Sequence, residues 1–199
     1  MANLLIGIDT CKDVRYSSCI ILPDYKASIL INELRKILPK KTFKDHDKIG
    51  HNQAIQLNNL FNKDGITKKN FLFFEHKYNP RNYNQMIYGQ ADTEKAYYQQ
   101  EVPKKIAENI KPAILKNCKP GDNILIELDC GDFKSKRVEE QKFLDTLKNI
   151  LNLPFERKHH IETKSTKDTI SLEIADKALG HWFTHNKEFN LGYPDSIKI

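Results

Sequence analysis

Long apolar runs are missing from this sequence. None approaches the roughly 20 residues that a membrane-spanning helix needs, so no span and no membrane partner are expected. A basic leader is missing too. The opening Met1-Ala2-Asn3-Leu4-Leu5-Ile6-Gly7-Ile8-Asp9 carries an acid within it, so a signal peptide is not expected and the cytoplasm is the expected location. The four cysteines, Cys11, Cys19, Cys118 and Cys130, are widely spaced and form no CxxC, which points to reduced thiols rather than a disulfide framework. No Gly-rich phosphate loop is present, which counts against nucleotide-cofactor chemistry. No internal repeat, low-complexity tract or linker divides the chain.

What is present is a globular composition. The 199 residues are enough for one domain with a real core, and 39% hydrophobic with 29% charged content excludes a disordered chain. A single domain over 1–199 is expected. The formal net charge of +6 favours a polyanionic partner, nucleic acid first among them.

Periodicity supplies the elements. Asn3 to Asp9 is a near-continuous apolar run and reads as a buried strand, with Arg15 to Leu22 as its hairpin partner. Ala27 to Leu38 has helical spacing and stops at Pro39. Asn52 to Phe61 reads as a second helix and Phe71 to Phe74 as an aromatic strand. Asp64-Gly65 reads as a turn and Asn79 to Gly89 as a connecting loop. Thr93 to Cys118 reads as mostly helical, with breaks near Pro103 and Pro112. Asn123 to Asp129 is a second buried strand, Val138 to Leu151 an amphipathic helix, and Phe155 to Glu162 a weaker strand. Thr169 to His185 is the closing helix, with Asp168 or Thr169 as N-cap. Alternating strands and helices imply parallel pairing with helices on both faces, and the opening hairpin adds an antiparallel pair. The expected fold is an α/β mixed sheet flanked by helices.

Three acids stand out. Asp9 and Asp129 each end an apolar strand, where α/β proteins place ligands. Asp176 sits among apolar and small residues of the closing helix, and a carboxylate on a packed face is costly without a cationic partner. Glu173 lies three residues earlier and shares its helical face. Ala175 and Gly180 are small enough for close helix–sheet packing. Glu127, on the same strand face as Asp129 but deeper, and Asp132 in the following loop are alternatives to Asp129. Together these acids suit Mg²⁺ or Mn²⁺, which take oxygen ligands and hold phosphate.

Other groups are weaker signals. Arg35, Lys36, Lys40, Lys41, Lys44 and Lys48 form one basic run. Lys134, Lys136 and Arg137 form another beside Asp129, suited to phosphate contact. Tyr78, Tyr83, Tyr88, Tyr97 and Tyr98 offer stacking surfaces or core packing. His181 and His185 have zinc-compatible spacing, but no HExxH pattern accompanies them and zinc is not expected. His159-His160 reads as surface. Cys11 and Cys130, each just beyond an acid, read as small side chains rather than nucleophiles.

At these residues the chain resembles the ribonuclease H-like nuclease superfamily. The nearest likeness is an uncharacterised branch that opens with an Ile-Asp-Glu-Ser-Gly-like strand. That branch has a later strand ending in Asp, and closes with a Ser-Lys segment and an Ala-Asp-x-x-Ala-Gly-like helix. Here the matching residues are Gly7-Ile8-Asp9-Thr10-Cys11, Ile124 to Asp129, Thr163-Lys164-Ser165-Thr166-Lys167, and Leu172 to Gly180. The resemblance implies a ribonuclease H-like mixed sheet, two divalent metals and phosphodiester hydrolysis. It carries over Asp9, Asp129 and Asp176 as catalytic metal ligands. Glu173 joins the expected ligand set, and Lys164 and Lys167 join Lys134, Lys136 and Arg137 as expected substrate contacts. Thr10-Cys11 departs from the family's Glu-Ser, with Asp13 as a substitute acid, Glu173 stands where Gln is common, and Leu179 replaces a small residue. The expected function is a metal-dependent nuclease acting on DNA or RNA. Alternatives are a non-catalytic nucleic-acid-binding or assembly protein on the same scaffold, or a resolvase-like junction nuclease. The last also begins with Gly-Ile-Asp, but adds a glycine that Thr10-Cys11 lacks.

Overall fold

The computed structural model describes residues 3–10, 16–38, 50–63, 70–75, 100–118, 121–129, 137–152, 160–165, 169–189 and 197–198. Side chains at 3, 10, 16, 137–140, 160, 163–165 and 181–189 fall outside that description. In chain order the elements are β1 (Asn3–Thr10), β2 (Tyr16–Pro23), α1 (Asp24–Ile37), α2 (His51–Asn62), β3 (Phe71–Glu75), α3 (Val102–Asn117), β4 (Asn123–Asp129), α4 (Arg137–Asn152), β5 (His160–Ser165), α5 (Ile170–Phe189) and β6 (Ile197–Lys198).

They form an α/β fold around one mixed six-stranded sheet, ordered β5-β4-β1-β2-β3-β6. β1 pairs antiparallel with β2, and β2 with β3. On its other side β1 pairs parallel with β4, and β4 with β5. The apolar run of β1 follows from this central place, since a strand covered on both faces needs no polar alternation. Among the described residues no helix is long and apolar enough to cross a membrane.

The two faces bury different side chains. Leu4, Ile6, Ile8, Cys19, Ile21, Ile124, Ile126 and Leu128 pack against Ile106, Ile110 and Ile114 of α3 and Leu144, Leu147 and Leu151 of α4. On the opposite face Ile20, Leu22, Phe71 and Phe73 pack against α1, α2 and the Ile174, Ala175, Ala178 and Leu179 stripe of α5. The rings of Phe61 on α2 and Phe71 meet edge to face at 5.5 Å. Apolar side chains on both faces remove strand and helix surfaces from water together, which is the main term holding the layers.

Several elements differ from the sequence-based expectation. Pro112 lies inside α3 and does not break it, and Pro103 occupies the first helical turn, where no intrahelical N–H is needed. Buried Ile106, Ile110 and Ile114 hold both sides of Pro112 against the sheet, so packing outweighs the lost hydrogen bond. β5 runs on to Ser165, past the expected end at Glu162, because its partner β4 sets the register from Asn123↔His160 to Leu128↔Ser165; the expected start at 155–159 lies outside the described residues. α1 begins at Asp24, directly after β2. The short β6 pairs with β3 through Phe74↔Ile197 and had no signal in the sequence. The turn read at Asp64-Gly65, the loop at 79–89 and the stretch 93–99 lie outside the described residues.

Candidate acidic site at the strand ends

Register decides which side chains share the face beneath α5. Residues paired across neighbouring strands point to the same side of the sheet. Phe73, Ser18, Asp9 and Asp129 form one such row, through Ser18↔Phe73, Asp9↔Ser18 and Asp9↔Asp129. The row below reads Phe71, Ile20, Gly7 and Glu127. Asp9 and Asp129 are thus side by side at the C-terminal ends of two parallel strands, whose backbones lie about 4.8 Å apart. Asp9 is buried and Asp129 half-buried.

α5 crosses this face with its small residues inward. A Cβ at Gly7 would meet the Ser171 backbone oxygen at 2.5 Å, so only glycine permits this approach. The Ser171 hydroxyl donates to the buried Glu127 carboxylate. One turn later the Ser18 hydroxyl donates to the Ala175 carbonyl oxygen at 2.8 Å. Asp176, half-buried, is the next residue along. The helix residue before Asp176 is therefore bonded to the register partner of Asp9.

Glu173 is not directed there. Its carboxylate accepts from Arg35 Nη2 of α1 at 2.6 Å and from Lys177 Nζ at 2.8 Å. Burial works to raise its pKa, but the Arg35 hydrogen bond, followed by that of Lys177, outweighs it and holds the carboxyl below the ordinary glutamate range. Lys177 is fully buried, and its Nζ also donates to the Leu38 carbonyl at 2.9 Å. Gln53 Nε2 donates to the Ile37 carbonyl at 3.0 Å. The C-terminal carbonyls of α1, orphaned by the end of the helix, are thus capped from α2 and α5. Glu173 serves this clamp between α1 and α5, and its expected place among metal ligands gives way to an ion-pair role.

The other expected site residues are placed in part. Lys164 lies on β5 in register with Glu127, while Lys134, Lys136 and Lys167 lie outside the described residues. Arg137 begins α4, its side chain outside the description. So do the side chains of His181 and His185, and residues Cys11, Asp13, Cys130, Asp132, His159 and the tyrosines from Tyr78 to Tyr98. Of the basic run at 35–48, Arg35 pairs with Glu173 and Lys36 with Glu33 at 2.6 Å. Burial drives the Cys19 thiol pKa far up, and burial followed by the Asp122 charge pushes that of Cys118 to about 11. Neither is suited to act as a thiolate nucleophile.

Sequence reasoning missed Lys177, Ser18 and the Ser171–Glu127 bond. The Glu173/Lys177 spacing of four residues carried a signal for the first, since such pairs face each other on a helix. Ser18 and Ser171 carried none, because their partners are distant in the chain.

The donor chemistry of the Asp9–Asp129 pair fits a hard divalent cation, which binds through one or two carboxylates and keeps several waters. Among the described residues no group of three or more His, Cys, Asp and Glu side chains is gathered closely enough to hold a metal ion. The chain matches no protein-family model and no curated protein.

Proposed function

We propose that this chain is a divalent-metal-dependent nuclease or related phosphodiesterase on a ribonuclease H-like scaffold. The observation that carries the reading is the Asp9↔Asp129 register, which sets two carboxylates side by side at parallel strand ends. Asp176, one residue beyond the Ser18-bonded Ala175, is the third acid. A mixed sheet with helices on both faces is the architecture that the resemblance implies, and the net charge of +6 suits a polyanionic substrate.

In this reading Asp9 and Asp129 would hold Mg²⁺ or Mn²⁺, with Asp176 closing the site from the helix. The bound ion supplies water activation and neutralises charge on the phosphate. In this reading the β1–β4 backbone ladder would orient the two aspartates, and Asp176 of α5 is the proposed third ligand. Lys134, Lys136, Arg137, Lys164 and Lys167 are the proposed phosphate contacts, which position the nucleic acid without reading its sequence.

The test is Mg²⁺- and Mn²⁺-dependent cleavage of single- and double-stranded DNA and RNA. Asp9→Asn and Asp129→Asn are each expected to lower turnover by more than about 100-fold, beyond what loss of a group supporting a metal ligand costs. Undiminished cleavage by Asp9→Asn would overturn the reading. Salt-dependent nucleic-acid binding without turnover would favour the non-catalytic alternative.

A further inference from the structure

We propose that the outer face of α1 is a self-association surface, on which a second copy of this chain packs its own α1 antiparallel. The inference is independent of the nuclease reading. α1 turns Ala27, Leu30, Ile31 and Leu34 into the core. Among the described residues the exposed large apolar side chains are Tyr25, Ile29, Ile55 and Leu115, and the first two share this helix. Tyr25 is 65% and Ile29 63% exposed, and their spacing of four residues puts them on one face. Single exposed apolar residues are ordinary, whereas an adjoining pair offers a patch that a partner can cover.

The stripe continues past Ile29. Tyr25, Ile29, Asn32 and Lys36 recur at intervals of four, three and four residues, the spacing that keeps one seam turned towards a partner helix. Asn32 and Lys36 are exposed as well. The charges beside the seam select the partner. Lys26 and Glu33 each follow a seam residue, Tyr25 and Asn32, so they lie on the same flank, before and after Ile29. Two copies of α1 packed antiparallel about a two-fold axis beside Ile29 set Lys26 opposite the partner's Glu33, and Glu33 opposite the partner's Lys26. The patch is thus complementary to itself, as a two-fold interface requires. Charges flanking a seam fix helix orientation in this way. The antiparallel setting also lays the positive end of each helix dipole beside the negative end of the other. Within one chain Glu33 pairs with Lys36 at 2.6 Å, and exposed pairs of this kind exchange at little cost. A 14-residue helix about 21 Å long covers less than a standard interface, so the dimer is weak and concentration-dependent.

The experiment is sedimentation equilibrium of the full chain from about 10 µM to about 1 mM, a range that spans weak association. Wild type is expected to pass from monomer to dimer with a midpoint on the order of 100 µM. Ile29→Lys removes the central apolar contact from both copies and is expected to weaken association more than about tenfold. Because Ile29 faces solvent in the single chain, the Tm of this variant should stay within about 4 °C of wild type. Lys26→Glu and Glu33→Lys each turn two attractive pairs into two repulsive ones and weaken self-association about fivefold. An equimolar mixture of these two variants regains both pairs and associates as wild type does. Wild type that stays monomeric at about 1 mM would overturn the proposal and leave the face to a different partner. Dimerisation left intact by Ile29→Lys would overturn it too, as would a mixture of the charge variants that associates no better than either alone.

Discussion

The two faces of the sheet are built from different chemistry. Beneath α3 and α4 the interior is mainly Ile, Leu, Phe and Val with Cys19 and Ala107, and Ile6, Ile126 and Leu147 are wholly shielded from water. Beneath α5 the same strands present Gly7, Asp9, Ser18 and Glu127, and the helix answers with Ser171, Glu173 and Lys177. The first face is held by area, which any well-shaped apolar set supplies. The second is held partly by direction, through hydrogen bonds that form in one arrangement only. Burying charge and hydroxyl groups is costly, so a face that accepts them is specified more narrowly than stability alone requires. Catalytic geometry needs that narrowness, and the proposed acid site lies on this face.

The largest expected effect on stability lies at Lys177. Its ammonium is buried between Glu173 and the Leu38 carbonyl, so Lys177→Met leaves a carboxylate with one cation fewer and a helix-end carbonyl uncapped. Urea unfolding is expected to show a loss of about 3–5 kcal/mol, the usual result of breaking a buried pair. A loss below about 1 kcal/mol would mean that the buried Lys177 ion pair does not contribute to holding α5, and the contrast between the faces would weaken.

Leu147→Ala on the opposite face is expected to cost about 2–5 kcal/mol by cavity formation. On the proposed nuclease reading, the Mn²⁺ dependence of cleavage should stay at its wild-type value, because no polar tie to α5 is touched. A change in metal response would show that the two faces are coupled through the sheet.

The smallest effect is the acid limb of stability. Glu173 has its folded pKa depressed, so its contribution is fully present above the ordinary glutamate value of about 4.3 and is lost as pH falls through the lower folded value. Glu173→Gln should therefore lose stability at pH 7 and show a shallower decline below pH ~4 than wild type. Parallel stability curves for the two proteins would exclude Glu173 as a contributor to acid unfolding.

Periodicity was a good guide where a single element faced a single environment. The continuous apolar run of Leu4 to Ile8 identified a strand covered on both sides, and the spacing of Leu144, Leu147 and Leu151 identified α4. It failed where tertiary packing overrode a local rule, as at Pro112 inside α3. Within the candidate site, Asp9 and Asp129 stood out as acids ending apolar strands. Glu173 was misread as a member of the acid set, because its cation Arg35 comes from a helix far away in sequence and the i,i+4 spacing of its nearer partner Lys177 was passed over.

Strand and helix positions, the apolar stripes and the two acids at strand ends follow from the amino-acid sequence itself, because they depend on neighbours within a few residues. The side-by-side placement of Asp9 and Asp129, the burial of Lys177 and the tie from Ser18 to Ala175 were decided only by the tertiary structure. Parallel register and helix docking join segments with no local contact, and their geometry emerges only when the whole core closes.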